Sequence, residues 1–248
     1  MREVRLQRLA LAFMLAAAGC AAPAPGRPAA APAPSTLELF DKSRQRRIPV
    51  ALYGAAAGRP RPLAILSHGY GGRSTDYGFI ARALAARGYV VASIQQDLPG
   101  DPVPASQGDL ATLRRPIWQL GADSIRFTIE ALHARRIADR RPAVLIGHSN
   151  GGDMTMLFAA RHPELARAAI SLDNRRMAMP RTARPRICSV RSSDFPADPG
   201  VLPTPEEQRA HAMLIAGIPG LRHDDMTDSA TAAQKQAMLK LIFACLGD

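Results

Sequence analysis

Lysine is nearly missing from this chain. Of 32 basic residues only Lys42, Lys235 and Lys240 are lysines; the rest are arginines. With 21 acidic residues the formal net charge is +11. The arginines are scattered, with no run beyond pairs such as Arg114-Arg115 and Arg135-Arg136. Aromatic residues reach only 5%. A nucleic-acid surface concentrates charge on one face and interleaves it with stacking rings, so no nucleic-acid partner is expected. Attraction to an anionic membrane surface suits this charge better. Cysteines number three, and their spacing fits no metal site. There is no internal repeat and no G-x-G-x-x-G phosphate loop. No metal and no cofactor is therefore expected. The remaining composition, 47% hydrophobic and 21% charged over 248 residues, suits one folded α/β domain with a sizeable core.

The N-terminus also lacks a long apolar run. Arg2, Arg5 and Arg8 precede Leu9–Ala18, an apolar stretch of ten residues. Ten helical residues cover about 15 Å, half of a bilayer's hydrocarbon core. A cleaved export signal over residues 1–19 fits better than a membrane anchor. Cys20 after Gly19 resembles a bacterial lipoprotein box, which makes Cys20 the expected lipidation site. Ordinary signal peptidase cleavage is the alternative, giving a secreted or soluble periplasmic protein. Residues 21–35 are Ala/Pro-rich and cannot pack a core, so residues 20–35 read as a tether. The expected location is the bacterial cell envelope, lipid-anchored on the periplasmic face. The folded domain is expected over residues 36–248, as a monomer.

Strand and helix patterns alternate from Thr36 onward. Strands are expected at Thr36–Asp41, Ile48–Tyr53, Pro62–Ser67, Tyr89–Ile94, Ala143–Gly147, Ala168–Leu172, Arg186–Val190 and Ala212–Ala216. Helices are expected at 74–87, Ala122–Arg136, Gly151–Arg161 and Gln234–Leu246. Residues 96–117, rich in Gly and Pro, read as a long irregular segment. Alternating βα units imply a mostly parallel sheet covered on both faces.

Gly147-His148-Ser149-Asn150-Gly151 lies where an apolar strand meets a helix. This is the G-x-S-x-G nucleophile elbow in its proper context, with Ser149 as the nucleophile. With this elbow, the chain resembles the α/β-hydrolase superfamily. Three further stretches carry the likeness: Asp41–Val50, Leu66-Ser67-His68-Gly69-Tyr70-Gly71-Gly72 and Arg222-His223-Asp224-Asp225-Met226. Within the superfamily it is similar to the bacterial dienelactone-hydrolase-like and platelet-activating-factor-acetylhydrolase-like branch. True dienelactone hydrolases use a cysteine nucleophile, where this chain has Ser149.

The resemblance implies an α/β-hydrolase fold, with a mostly parallel central sheet of about eight strands flanked by helices. It also implies a base and an acid in the order serine, acid, histidine. His223 is the expected base; His68, His133, His148, His162 and His211 fit that role less well. The acid is expected after the strand beginning at Arg186, which selects Asp194, with Asp198 as the alternative and Asp173 third. The oxyanion hole is expected from the backbone N–H groups of Tyr70 and Asn150.

Cys188 and Cys245 are read either as a disulfide or as two buried thiols. Trp118 is read either as a cleft wall or as core. Only residues 173–185 separate two successive strands where many α/β-hydrolases insert a cap, so no cap domain and an open cleft are expected. The expected activity is hydrolysis of small carboxylic esters by a serine enzyme through an acyl-enzyme, with short acyl chains preferred. The alternatives are hydrolysis of another bond, such as an amide or a polyester, or a non-catalytic surface lipoprotein that binds through the same fold.

Overall fold

The computed structural model describes residues 33–55 and 59–247. The signal segment, the Cys20 lipidation site and nearly all of the tether lie outside the described residues.

An eight-stranded sheet forms the centre. Its strands are β1 (Ser35–Asp41), β2 (Arg46–Tyr53), β3 (Leu63–Ser67), β4 (Val90–Ile94), β5 (Ala143–His148), β6 (Ala166–Leu172), β7 (Arg186–Arg191) and β8 (Leu214–Gly217). Their spatial order is β1-β2-β4-β3-β5-β6-β7-β8. β1 and β2 are antiparallel to their neighbours, and every other pair is parallel. Parallel strands need cover on both faces, which explains the apolar runs LAILS and VVASI, buried at every position.

Alternation within each strand divides the core in two. Leu63, Ile65, Ala92 and Leu145 face one side, where α2 (Leu110–Ala134) and α3 (Asn150–Arg161) pack with Trp118 and Phe158. Ala64, Leu66, Val91 and Ile146 face the other, under α1 (Gly78–Ala86) and α5 (Ala232–Leu246). A short helix, α4 (Pro205–Ala210), lies between β7 and β8.

Strand and helix ends shift by a residue or two from the sequence reading, and three larger differences each have a local reason. The first helix begins at Gly78 rather than 74, because the Asp228 carboxylate accepts the orphan N–H groups of Gly78 and Phe79 at 3.1 and 2.8 Å. The segment expected to be irregular to 117 is helical from Leu110. Asp109 caps that helix by accepting the Thr112 N–H, and Pro116 sits on its exposed side. One missing backbone bond there is offset by the burial of Ile117 and Trp118. α4 was not anticipated, although Thr204 and Glu207 form a reciprocal capping box around its first turn. Between β6 and β7, residues 173–185 carry no helix or strand, so no cap is built there. Among the described residues no helix is long and apolar enough to cross a membrane.

Cys188 on β7 and Cys245 on α5 are joined as a disulfide, 57 residues apart. The pair was left open by sequence and is closed here because both side chains point into the same core layer. Closing a loop of this size restrains the unfolded chain by about 4 kcal/mol on a chain-entropy model. Cys245→Ser is therefore expected to lower Tm by on the order of 10 °C. Thermal denaturation of the wild type with and without reductant checks this; equal Tm values would show that the thiols are not paired.

Candidate active site

The parallel strands end together at one edge, and the site is built there. β5 ends at His148, and Ser149 follows with φ 52° and ψ −120°. The Ser149 N–H is anchored by the Leu172 carbonyl of the neighbouring strand at 2.8 Å. The two elbow glycines are required by contact. A Cβ at Gly147 would sit 2.1 Å from the Gly151 carbonyl oxygen, and one at Gly151 would sit 2.3 Å from that of Ser67. The turn puts Ser149 at the N-terminus of α3, whose dipole favours negative charge beside it.

His223 lies in a single 3-10 turn, His223–Asp225, after β8. Its Nε2 is 3.0 Å from Ser149 Oγ, and its Nδ1 is 3.0 Å from Asp173 Oδ2. The carboxylate partner of the imidazole is thus Asp173, and neither Asp194 nor Asp198 occupies that place. Sheet register explains the correction. Leu172 pairs with both His148 and Val190, so Ser149, Asp173 and Arg191, the next residues along, stand at one level. Asp173 directly follows β6, beside Ser149, and is fully buried. Asp194 instead accepts the backbone N–H of His223 at 2.7 Å. Asp198 is turned away toward Arg175, at 2.9 Å.

Burial alone would raise the Asp173 carboxyl. The hydrogen bond from His223 and the charge of Arg191, whose Nε lies 3.2 Å from Oδ1, outweigh burial and hold it below the usual carboxylate range. Asp173 is therefore ionised while buried. The Ser192 N–H adds a further donor at 2.9 Å. Arg191 also donates to the carbonyls of Asn174 and Phe195, at 2.7 and 3.0 Å. Phe195 stacks on the His223 ring with centroids 3.7 Å apart. Under the neighbouring loop, buried Asp153 accepts the N–H groups of Arg175, Arg176 and Met177. Burial raises the Asp153 carboxyl to about 6 despite those donors.

The loop after β3 forms the opposite wall. Gly69 approaches so closely that a Cβ there would be 3.3 Å from the Ser149 Cβ. Gln96 N–H donates to His68 Nε2 at 2.9 Å, so His68 Nδ1–H donates to the Gly69 carbonyl at 2.7 Å. Tyr77 Oη accepts from the Gly69 N–H at 3.2 Å, which leaves its proton for His148 Nδ1 at 2.7 Å. Burial and the nearby His223 lower the His148 pKa to about 3, so His148 is neutral and can accept. Two histidines and a tyrosine thus fix the loop carrying Tyr70. Asn150 is the first residue of α3, so its N–H has no intrahelical acceptor. Its side-chain oxygen accepts the Trp118 indole N–H at 2.9 Å, placing Trp118 in the core beneath the elbow.

Tyr77, Arg191 and Phe195 are site residues that the sequence reading misses, and Asp173 is one that it ranks third among the acids. One signal was available: Arg191 ends a buried strand, and a buried guanidinium requires a carboxylate. A cavity of about 640 Å³ bounded by Phe40, Arg44 and Phe127 lies along β1 and α2, and none of Ser149, His223 and Asp173 lines it. Among the described residues no group of three His, Cys, Asp or Glu side chains could hold a metal.

Sheet order, elbow and histidine together define an α/β-hydrolase fold, and comparisons with known proteins agree. Residues 58–173 match the family model described as Serine aminopeptidase, S33. A relative from Nocardia uniformis subsp. tsuyamanensis, named "Putative esterase NocK", is 27% identical. The match takes in 73% of this chain, which spans only 60% of the length of that relative. Among solved structures, a ferulic acid esterase from Streptomyces cinnamoneus superposes with a TM-score of 0.58 at 22% identity, over 78% of this chain and 75% of that one. A lidless α/β serine hydrolase from Xanthomonas campestris gives 0.55 at 18% identity, over 89% and 97%. These likenesses fix the fold; they do not select the dienelactone-hydrolase-like branch.

Proposed function

We propose that the protein is a serine hydrolase that cleaves carboxylic esters through an acyl-enzyme. The observation that carries this reading is the unbroken chain from Ser149 Oγ through the His223 ring to a buried, ionised Asp173. Asp173 holds the proton on Nδ1 and so leaves the Nε2 lone pair facing the serine. Ser149 Oγ attacks the ester carbonyl while His223 Nε2 takes its proton. The oxyanion forms between the N–H groups of Tyr70 and Asn150, supported by the close approach of Gly69 to Ser149. Protonated His223 then gives its proton to the departing alkoxide. Water, deprotonated by the same ring, releases the acid.

With no cap over residues 173–185, the cleft has little apolar wall for a long acyl chain. The likeness to a lidless hydrolase supports the same view. Short-chain esters are therefore the expected substrates, with no activation at a lipid interface. Two measurements test the reading. A fluorophosphonate probe is expected to label Ser149, and a p-nitrophenyl ester series is expected to peak below about six acyl carbons, because added methylenes find no wall. An unlabelled protein would overturn the serine mechanism. A maximum at ten carbons or longer would overturn the open cleft. We further propose that the enzyme works in the cell envelope, tethered through Cys20; labelled palmitate incorporation that survives Cys20→Ala would overturn the anchor.

A further inference from the structure

Beside the triad lies a knot of arginines that the mechanism leaves unused. Arg175 and Arg176 follow Asp173 on the loop after β6, and Arg114 reaches the same place from α2. The Arg175 guanidinium lies over the Phe195 ring, 4.9 Å from its centroid, and that ring stacks on His223 at 3.7 Å. Arg175 is thus one aromatic ring away from the catalytic base. The carboxylates nearby do not balance three cations. Asp198 is shared, with Oδ1 2.9 Å from Arg175 Nε and Oδ2 3.9 Å from Arg176 Nε. Asp153 turns its Oδ1 to three backbone N–H groups and joins no salt bridge among the described residues. Arg176 Nε is buried without a hydrogen-bond acceptor. Arg114 donates its Nε to the Ala105 carbonyl and joins no ion pair among the described residues. Its charge is disfavoured by burial and by the neighbouring Arg176 and Arg175, which together outweigh the attraction of Asp153 and Asp198. A half-buried guanidinium left unpaired beside two others is a place for an anion.

We propose that Arg114, Arg175 and Arg176 form a subsite for a carboxylate, so that the preferred ester carries a second, ionised acid group. This rests on the ester-hydrolase reading for its chemistry, and it names the substrate class of that same site. Planar guanidinium groups on two separate elements can grip both carboxylate oxygens, which a neutral acyl end cannot exploit. The subsite lies beyond Phe195, so the two acid groups of the substrate must be separated by a short spacer, as in half-esters of dicarboxylic acids.

The test compares p-nitrophenyl hydrogen glutarate with its neutral carboxamide isostere, p-nitrophenyl 4-carbamoylbutanoate. The charged ester is expected to have a kcat/KM higher by about tenfold or more at low ionic strength, with the advantage shrinking in added salt. Arg175→Gln is expected to bring the charged-to-neutral ratio close to one, and so is Arg114→Gln on the other element, should the loop variant fold poorly. A wild-type ratio of one or below overturns the subsite, as does a preference that survives both variants. A readout independent of turnover separates this proposal from the ester reading. Calorimetry on the full chain is expected to show glutarate binding that glutaramide does not share and that Arg175→Gln abolishes. If neither ester is cleaved, the ester reading fails while the calorimetry still decides the subsite; equal binding of glutarate and glutaramide overturns it.

Discussion

Ser149→Ala is expected to lower kcat by about five orders of magnitude while leaving the fold intact. The alanine keeps the backbone of the elbow and removes only the atom that attacks. The strained Ser149 backbone is held by the Leu172 carbonyl and by the packing of Gly147 and Gly151, none of which involves Oγ. Circular dichroism and Tm should therefore match the wild type. Residual turnover would come from direct attack by water on an ester whose carbonyl oxygen sits in the oxyanion hole. Retention of more than a few per cent of wild-type kcat would show that Ser149 is not the nucleophile.

Asp173→Asn is the second large effect, with kcat expected to fall about 10⁴-fold and KM to change little. An asparagine fits the same space but offers an N–H toward the His223 ring, which favours the wrong tautomer. It also leaves Arg191 without its counter-charge, 3.2 Å away and largely buried, so some loss of stability accompanies the loss of rate. The contrast with the two other acids makes the test sharp. Asp194→Asn keeps an oxygen for the His223 backbone N–H and is expected to cost tenfold or less. Asp198→Asn disturbs only the arginine loop. A dead Asp194→Asn beside an active Asp173→Asn would reverse the assignment.

The difference between the legible and the hidden parts of this site is one of range. The elbow could be read because its demands are local: Gly147 and Gly151 must lack side chains for the turn to close. His223 could be placed because chain order in this fold leaves few histidines after the last strand. The acid could not be read in the same way. Asp173, Asp194 and Asp198 all occupy polar segments that follow strands, and their sequence surroundings rank Asp173 last of the three. Which of them meets His223 is decided by the β5-β6-β7 register, a property of strands brought together from distant segments. The start of α2 was hidden for the opposite reason. Pro116 is a strong local stop signal that tertiary burial of Ile117 and Trp118 overrides.

His223 is gripped at two points by two different aspartates. Asp194 takes its main-chain N–H and Asp173 takes its ring, while Phe195 lies flat against one face. Each contact removes a different freedom: the first fixes where the Cα stands, the second fixes the ring's rotation, and the third blocks tilting. In the mechanism proposed above, His223 Nε2 must swap partners during turnover, from the serine to the leaving group and then to water, with little movement of the ring. A ring free to flip would have to be reordered at each of those exchanges. Here the ordering is done once, when the chain folds, and in the proposed cycle Nε2 takes and gives its proton on an imidazole that stays in place.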